Sequence, residues 1–315
     1  MGSISTLKLP LIDLSALDGS KPGTPWDALQ SQVRQALEEF GCFEALYDKM
    51  TLKLHNDVLQ ELDGLFELPT DAKRQFNFPD KPYVGYLANP PLAPIYEAFA
   101  IGYAPNSGSI ERLRDLMWPK GNTRFCETMN AYVTRVLELD SLVRKLVLGS
   151  LGVEKYVDSL AKSVGYNFRL TRHAALGTEE SERLGAVRHR DVNFVTTLHQ
   201  NHVNGWEVQT KDGRWIEVAP SSASSFIVLA GESLYGWSNG RIHSPCHRVM
   251  MTAHEPRYSI GFFSYIPGTI QCPDELVDDE HPLLFKPFDI VGLSRIYKTE
   301  ESRNGASAMD TFYRI

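Results

Sequence analysis

The sequence predicts an α+β protein in which a largely helical N-terminal half and a helical C-terminal segment support a mainly β core. Helical patterns dominate the first 150 residues, whereas residues 164–263 consist of short apolar or aromatic runs separated by turns. Several short strands at regular spacing are typical of an all-β sandwich or barrel. We therefore expect a mixed, mostly helical region over 1–160, a β core over 161–270 and a C-terminal helical segment over 271–315 that packs on the core.

The N-terminal half contains one short predicted strand and three predicted helices. Apolar residues recur with helical spacing along each helix, and the second helix stops near Pro69, because proline cannot continue a helix. The predicted segments are a strand over 9–15, a helical pattern from Thr24 that gives way at Gly41 to the strand-like run "CFEAL", and helices over 52–66 and 123–150. Residues 77–108, rich in Pro, Gly, Asn and Tyr, predict a long irregular loop.

The β core is predicted from short runs rich in β-branched and aromatic residues. These runs are "YNFRL", "NFVTTLHQ", "GWEVQT", "RWIEVAP", "SSFIVLAG", "HRVMM" and "YSIGFFSYI". Asp212-Gly213 lies between two of them, and this dipeptide favours a tight β-hairpin turn.

Composition excludes several classes of protein. The 315 residues are 43% hydrophobic, enough to form a sizeable core, and the formal net charge is −7. No run of Lys and Arg indicates nucleic-acid binding. Four widely spaced cysteines contain no C-x-x-C pair, which disfavours a zinc or disulfide framework and favours a reducing cytoplasmic setting. We expect a monomer that acts on a small molecule.

Two sequence signals bear on membranes. No apolar run is long enough to span a bilayer, and the N-terminus lacks the features of a signal peptide. Residues 1–6, "MGSIST", fit the loose pattern for myristoylation of Gly2, but no basic patch follows them. We therefore expect no membrane association.

The triplet His189-Arg190-Asp191 also occurs in the catalytic loop of protein kinases. A kinase needs Asn five residues after the Asp to hold magnesium, and this chain has Thr196 there. The glycine-rich phosphate loop and the Asp-Phe-Gly motif are missing as well, so a kinase is excluded.

A metal site fits the triplet better. If His189 and Asp191 lie on one strand, their side chains face the same side, and Arg190 faces the other. The third ligand is expected to be His247, which begins "HRVMM", because Pro245 keeps His243 outside the sheet. Two imidazoles and one carboxylate form the facial triad of non-haem Fe(II) oxygenases.

Arg257 and Ser259 follow ten residues after the third candidate ligand. An arginine that points into a barrel is costly unless it meets an anion, and its planar fork matches a carboxylate. A small dicarboxylic acid that chelates iron at one end and meets Arg257 at the other explains both charges.

The motifs together resemble the plant Fe(II)/2-oxoglutarate-dependent dioxygenases over roughly residues 9 to 290. The resemblance is carried by "LPLIDLS", "EEFGCFEALYD", His189-x-Asp191, "WSNGRIHSPCHRV" and Arg257-x-Ser259. Within the family, "KPYVGYL", "LMWPKGN" and "ELVDDEHPLLFKPFDI" are similar to the branch of specialised metabolism that includes alkenyl-forming glucosinolate enzymes and steroidal glycoalkaloid hydroxylases.

This resemblance implies a double-stranded β-helix (jelly-roll) core that binds Fe(II) and 2-oxoglutarate. It implies that 2-oxoglutarate and O2 are converted to succinate and CO2 while a substrate C–H bond is oxidised. Hydroxylation is the default outcome, with desaturation, demethylation or ring closure as variants, and ascorbate is expected to support activity. The resemblance also implies a substrate pocket near the metal. Ordinary core packing is the alternative for each of its candidate aromatic residues. These residues, taken from positions that match the family, are Phe194, Phe263, Tyr96, Phe99 and Trp118.

Two positions depart from the family pattern. The family's Asn-x-Tyr, whose tyrosine helps to hold 2-oxoglutarate, corresponds here to Thr171-Arg172-His173. We expect Thr171 and His173 to lie near the 2-oxoglutarate carboxylate, where His173 would change charge close to neutral pH. The alternative is that His173 points into the core or solvent and that another donor takes its place. Arg190 stands where threonine is common in the family. We expect its side chain to face outward and to have little effect on the site.

Other functions compete with this interpretation. A catalytically weak member of the fold could bind and sequester a small hormone or metabolite. A plant-hormone-oxidising dioxygenase would use the same residues. A zinc hydrolase could use the same ligands, but it would leave Arg257 and Ser259 unexplained.

Overall fold

The computed structural model describes residues 8–15, 24–81, 84–103, 107–296 and 304–315. The candidate myristoylation site at Gly2 lies outside these ranges. The described helices are α1 (Thr24–Glu39), α2 (Leu52–Phe66), α3 (Thr70–Lys73), α4 (Ser109–Met117), α5 (Thr123–Ser150), α6 (Val157–Ser163), α7 (Glu232–Trp237) and α8 (Ile290–Ile296). None of the helices in the described ranges has both the length and the apolar character needed to cross a bilayer.

The strands of the described residues form a large sheet, a smaller sheet and a short pair. The strands are β1 (Leu11–Asp13), β2 (Cys42–Leu46), β3 (Gly85–Ala88), β4 (Tyr96–Tyr103), β5 (Gly165–His173), β6 (Arg183–His189), β7 (Val195–Gln200), β8 (Trp206–Gln209), β9 (Trp215–Glu217), β10 (Ser225–Ala230), β11 (His247–Met251), β12 (Arg257–Tyr265), β13 (Thr269–Ile270) and β14 (Phe288–Asp289). The large sheet has the order β1-β2-β10-β7-β12-β5-β4-β3, the smaller one β6-β11-β8-β9, and β13 pairs with β14.

The two larger sheets form the double-stranded β-helix that the sequence motifs imply. Buried side chains between them include Trp206, Val208 and Met251 from the smaller sheet and Ile227 and Leu229 from the large one. Helices α1, α2 and α5 pack against the other face of the large sheet through a second, larger apolar cluster. The sheet therefore has apolar side chains on both faces, as the near-continuous burial of β10 shows.

Most predicted elements are confirmed. Helices α2 and α5 have the predicted bounds, and α1 ends just before Gly41. Gly41 has φ +71°, and a Cβ there would lie 2.4 Å from the carbonyl oxygen of His243, so the turn into β2 requires glycine. Strands β8 and β9 form the predicted hairpin around Gly213, where φ is +86°.

The prediction of an irregular loop over residues 77–108 is wrong. This segment contains β3 and β4, which add two strands to the edge of the large sheet. β4 pairs with β5 along its whole length, from Tyr96 opposite His173 to Tyr103 opposite Tyr166. The described prolines of this segment lie in the connections, whereas Gly85 and Gly102 lie within β3 and β4. Pairing with a strand far away in the sequence determines the structure of "YEAFAIGY".

The register of three central strands places a defined set of side chains on the inner face of the large sheet. Ser259 of β12 lies opposite Thr171 of β5 and Gln200 of β7. Two residues further along, Gly261 lies opposite Arg169 and Leu198. Side chains alternate between the two faces of a strand. On each of these strands, every second residue counted from Ser259, Thr171 or Gln200 therefore also points inward.

Helix α7 supports the loop that follows β6. The backbone N–H of Glu232 donates to the Asp191 carbonyl at 2.7 Å, and that of Ser233 donates to the Asn193 carbonyl at 3.2 Å. Gly231, just before the helix, lies so close to this loop that an added Cβ would be 2.0 Å from the Asn193 carbonyl oxygen. The loop backbone is therefore held by the first turn of α7.

We predict that Gly231→Ala destabilises the protein by about 1–3 kcal/mol, the usual cost of forcing extra atoms into a packed site. The Asn193 backbone would have to move, and it cannot do so without disturbing the hydrogen bonds to α7. Urea unfolding followed by circular dichroism measures the effect.

Gly64→Ala provides the matched control. Gly64 lies in α2 with no atom within 4 Å of an added Cβ, and alanine there should stabilise the helix by up to about 1 kcal/mol. Equal effects of the two substitutions would contradict the close approach of Gly231 to the loop.

Candidate metal and co-substrate site

His189, Asp191 and His247 form a compact cluster. One ligand atom from each lies within 4.8 Å of the others. The Asp191 carboxylate oxygen Oδ1 is 3.6 Å from Nε2 of His189 and 3.7 Å from Nε2 of His247. Three ligand atoms at such separations can surround a single metal ion, and two imidazoles with one carboxylate suit Fe(II).

Strand pairing brings the two histidines together. His189 is the last residue of β6, His247 is the first residue of β11, and the two are directly paired in the antiparallel register. His243 lies outside the sheet, as predicted. The assumption that Asp191 shares the strand with His189 is wrong, because β6 ends at His189 and Asp191 belongs to the loop held by α7.

Hydrogen bonds fix the orientation of the two histidine rings. Nδ1 of His189 lies 2.8 Å from the Val187 carbonyl oxygen, and Nδ1 of His247 lies 3.3 Å from the Pro245 carbonyl oxygen. A carbonyl can only accept, so each Nδ1 carries the proton and each Nε2 presents its lone pair to the cluster. Such backbone contacts are typical of metal-binding histidines.

The electrostatics keep the cluster ready to bind a cation. Burial raises the pKa of Asp191, but the effect of His247, with hydrogen bonds from His189 and Thr196, outweighs it and holds that pKa well below its usual value. Thr196 donates to Oδ2 of Asp191 at 2.6 Å. Burial, followed by the proximity of His189, lowers the pKa of His247 to about 4, so that this ring is neutral at pH 7.

Arg190 faces away from the cluster, but the expectation that it has little effect conflicts with its contacts. Its Nε donates to the Gly305 carbonyl at 3.0 Å, and its Nη1 donates to the Ser244 carbonyl. It therefore connects the ligand loop to the segment before His247 and to the C-terminal residues.

A second cluster surrounds Arg257, which is only 1% exposed. Its Nη2 donates to Oε1 of Gln200 at 2.6 Å and its Nη1 to Oγ of Ser259 at 3.2 Å, while Nε makes no hydrogen bond to any residue that the structure describes. Burial lowers the pKa of Arg257 to about 10, and no carboxylate of the described residues forms an ion pair with it. A buried cation with only neutral partners suits an incoming anion.

Thr171 and Gln200 belong to the same cluster as Arg257. Thr171, which stands where the family has asparagine, lies opposite Ser259 in the pairing of β5 and β12. Gln200 was not predicted, because the run "NFVTTLHQ" signals only a strand. Strand alternation counted from Thr196 would have placed Gln200 on the inner face.

His173 lies directly opposite Arg257 in the sheet. Its expected place near the 2-oxoglutarate carboxylate stays a prediction. Its expected titration near neutral pH is wrong. Burial, followed by the positive charge of Arg257, lowers the pKa of His173 to about 3, and the Gly185 backbone opposes this fall only weakly. Neither ring nitrogen makes a well-formed hydrogen bond within the described residues.

A cavity of about 420 Å³ lies between the two sheets, with the metal cluster in its wall. Phe263, from the predicted substrate pocket, lines this cavity. The other four predicted aromatics do not: Phe194 packs on Trp237, Phe99 on Phe66, Phe76 and Tyr86, Trp118 on Phe125, and Tyr96 on His173. Phe99 lies on the outer face of the large sheet, and Phe194 and Trp118 lie in connections. Tyr96, the first residue of β4, lies on the inner face opposite His173 but does not line the cavity. The Arg257 cluster adjoins the inner end of the cavity without lining it.

The jelly-roll core and the His-Asp-His cluster beside a buried arginine define a non-haem iron oxygenase. Residues 166–265 match the 2OG-Fe(II) oxygenase superfamily, and residues 9–120 match the family described as the non-haem dioxygenase in morphine synthesis N-terminal. The probable 2-oxoglutarate-dependent dioxygenase AOP1.2 of Arabidopsis thaliana is 40% identical over 98% of this chain and 96% of that protein. The chain belongs to the Fe(II)- and 2-oxoglutarate-dependent dioxygenases, and it is an oxidoreductase that uses Fe(II), 2-oxoglutarate and O2.

Other similar proteins support the same family. The 2-oxoglutarate-dependent dioxygenase AOP3 of Arabidopsis thaliana is 31% identical over 99% of this chain and 98% of that protein. The crystal structure of a dioxygenase for auxin oxidation in rice has a TM-score of 0.81 and 29% identity, and the match covers 97% of this chain and all of that one. The resemblance found in the sequence and the jelly-roll fold are both confirmed.

We predict that the Michaelis constant for 2-oxoglutarate has the same pH profile between pH 6 and 8 in wild type and in His173→Tyr. A histidine with a pKa of about 3 is neutral throughout this range, so it adds no charge that pH could change. Initial rates of succinate release at several pH values test this. If the Michaelis constant decreases as the pH is lowered in wild type but not in the variant, His173 becomes protonated in this range.

Proposed function

We propose that this chain oxidises a C–H bond of a small, largely apolar plant metabolite, with Fe(II) held by His189, Asp191 and His247. The observation that carries the proposal is the cluster itself: three ligand atoms within 4.8 Å, with the second nitrogen of each histidine engaged by a backbone carbonyl. Hydroxylation is the default outcome, and desaturation, demethylation or ring closure are its variants.

The residues present fit both Fe(II) and 2-oxoglutarate. The donor set has the composition of a facial triad, which leaves three positions on the metal open. When bound, Fe(II) supplies the redox chemistry that couples decarboxylation of 2-oxoglutarate and reduction of O2 to oxidation of the substrate. The protein keeps His247 neutral and Asp191 ionised, and Thr196 orients the carboxylate.

The Arg257 cluster is the proposed site for the distal carboxylate of 2-oxoglutarate. Arg257 supplies the charge, Ser259 a hydroxyl, and Thr171 a second hydroxyl directly across the strand pair. Gln200 holds the guanidinium in place through its side-chain oxygen. A neutral His173 can donate one hydrogen bond from either nitrogen, which partly replaces the phenol of the family's tyrosine.

The substrate class is supported by the walls of the cavity. Phe263, Tyr265, Val192, Leu229 and Ile290 give it an apolar, partly aromatic surface beside the metal cluster. The similarity to relatives named AOP supports a specialised metabolite, and the similarity to the rice dioxygenase for auxin oxidation supports a hormone as the second candidate. The intact ligand cluster argues against a member that only binds its ligand.

The setting of the reaction also forms part of the proposal. The four cysteines are all buried and unpaired, in keeping with a reducing cytoplasm. We propose that the protein works there as a monomer and that ascorbate supports its activity by keeping iron reduced.

Substitution of His247 by alanine should abolish Fe(II) binding and turnover, whereas His243→Ala should leave metal affinity nearly unchanged. His243 is partly buried, and its pKa is lowered to about 3, first by burial and then by the charge of Arg190, so it is a suitable histidine for comparison. Metal content after dialysis against Fe(II) and succinate release provide the readouts. Loss of iron in His243→Ala with retention in His247→Ala would overturn the ligand assignment.

Arg257→Gln should raise the concentration of 2-oxoglutarate required for half-maximal turnover by well over tenfold. Loss of one partner from a buried charge-assisted pair costs about 2–5 kcal/mol, and each ~1.4 kcal/mol is a factor of ten. Arg257→Lys should recover part of the affinity, since it keeps the charge but loses the planar fork.

Anaerobic titration with 2-oxoglutarate and steady-state kinetics separate the two possible roles of this arginine. An unchanged 2-oxoglutarate requirement together with weaker substrate binding would show that Arg257 binds the substrate instead.

A further inference from the structure

The helix that holds the Asp191 loop is itself held by the C-terminal segment, residues 304–315. Helix α7 has only 6 residues, and a helix of that length is not stable without tertiary contacts. Its first turn donates backbone hydrogen bonds to the loop, whereas Gly236 packs on the C-terminal segment. A Cβ added to Gly236 would collide with Cε of Met309, so the two backbones approach each other closely.

Glu232, the first residue of α7, binds both the loop and the C-terminal segment. Its backbone N–H donates to the Asp191 carbonyl at 2.7 Å. Its side-chain oxygen Oε2 accepts from Oγ of Ser307 and from the backbone N–H of Met309, both at 2.9 Å. The residue that holds the loop backbone is therefore held in turn by two donors of the C-terminal segment.

A carboxyl group at this position is costly for the fold. Glu232 is only 1% exposed, and its Oε1 makes no hydrogen bond to any residue that the structure describes. Burial raises the pKa of Glu232, although the Met309 backbone and the charge of Arg190 oppose this rise. An apolar residue would be buried at less cost, so the two donors that Oε2 holds are the reason for an acid here.

We propose that Glu232 is a positioning residue for Asp191, and that the C-terminal segment, bound through Glu232, is required for full metal affinity. The proposal rests on the proposed function, because it takes Asp191 as a metal ligand. Asp191 has no strand partner, so the first turn of α7 determines where its carboxylate lies relative to the two histidines. Without its bonds to Ser307 and Met309, Glu232 no longer fixes that turn.

The experiment measures metal binding to the full-length protein, with Mn(II) in place of Fe(II) and free Mn(II) followed by electron paramagnetic resonance. Glu232→Leu should weaken Mn(II) binding by about tenfold or more, as is usual when a residue that orients a metal ligand is lost. Glu232→Gln should stay within about threefold of wild type, because its amide oxygen accepts the same two hydrogen bonds. All measurements are made well below the unfolding temperature of each variant.

Glu44→Leu is the matched control. Glu44 of β2 is also buried, and its Oε1 accepts from the hydroxyl and the backbone N–H of Ser221, the same pair of donor types that Glu232 binds. Both leucine variants should unfold at lower urea concentration, but Glu44→Leu should keep the Mn(II) affinity of wild type. Unchanged Mn(II) affinity in Glu232→Leu, or an equal loss in the two variants, would overturn the proposal.

Ser307→Ala and Ser221→Ala provide a milder pair that tests the proposal even if Glu232→Leu does not fold. Each removes one hydroxyl that donates to a buried glutamate. Ser307→Ala should weaken Mn(II) binding, whereas Ser221→Ala should not. Equal Mn(II) affinities in the two alanine variants would contradict a role of the C-terminal segment.

His247→Ala separates this inference from the proposed function. If His247→Ala binds Mn(II) as tightly as wild type does, the metal site is wrong and the proposed function fails. If His247→Ala loses the metal while Glu232→Leu and Ser307→Ala keep it, the proposed function stands and only the role of Glu232 is rejected.

Discussion

The pairing register of β5, β12 and β7 is the constraint on which the site depends. It turns Arg257, Ser259 and Phe263 of one strand inward, and it places Thr171 and Arg169 of the next strand beside them. A slip of one residue would send every one of these side chains to the face that packs against the helices. Burial of that opposite face by α2 and α5 therefore fixes the register. The same apolar packing that stabilises the fold also determines the order of polar groups along the cavity.

The metal cluster depends on a different kind of support. His189 and His247 are cross-strand neighbours in the smaller sheet, but Asp191 lies in a loop without strand partners. The first turn of α7 binds that loop through backbone hydrogen bonds, and Arg190 ties it to the C-terminal residues at Gly305. Because these contacts join segments far apart in the sequence, the carboxylate is oriented only when the whole core is folded.

The sequence predicts the chemistry of the site better than its surroundings. Spacing and the position of Pro245 were enough to select His247, because proline disrupts strands by a local mechanism. Strand β4 was missed, since its stability comes from pairing with β5 and not from its own composition. The neutral state of His173 was also missed, because the pKa depends on burial next to Arg257, which no local pattern records. Four of the five aromatic residues assigned to the pocket pack elsewhere, because their neighbours are also determined by the tertiary structure and not by a local sequence pattern.

A crystal structure of the protein with Mn(II) in place of Fe(II) and with 2-oxoglutarate bound tests the central claim most directly. The account predicts one metal ion bound by His189, Asp191 and His247, with the distal carboxylate of 2-oxoglutarate on Arg257 and Ser259. A distal carboxylate bound away from Arg257, with Arg257 still engaged only by Gln200 and Ser259, would contradict this account of the site.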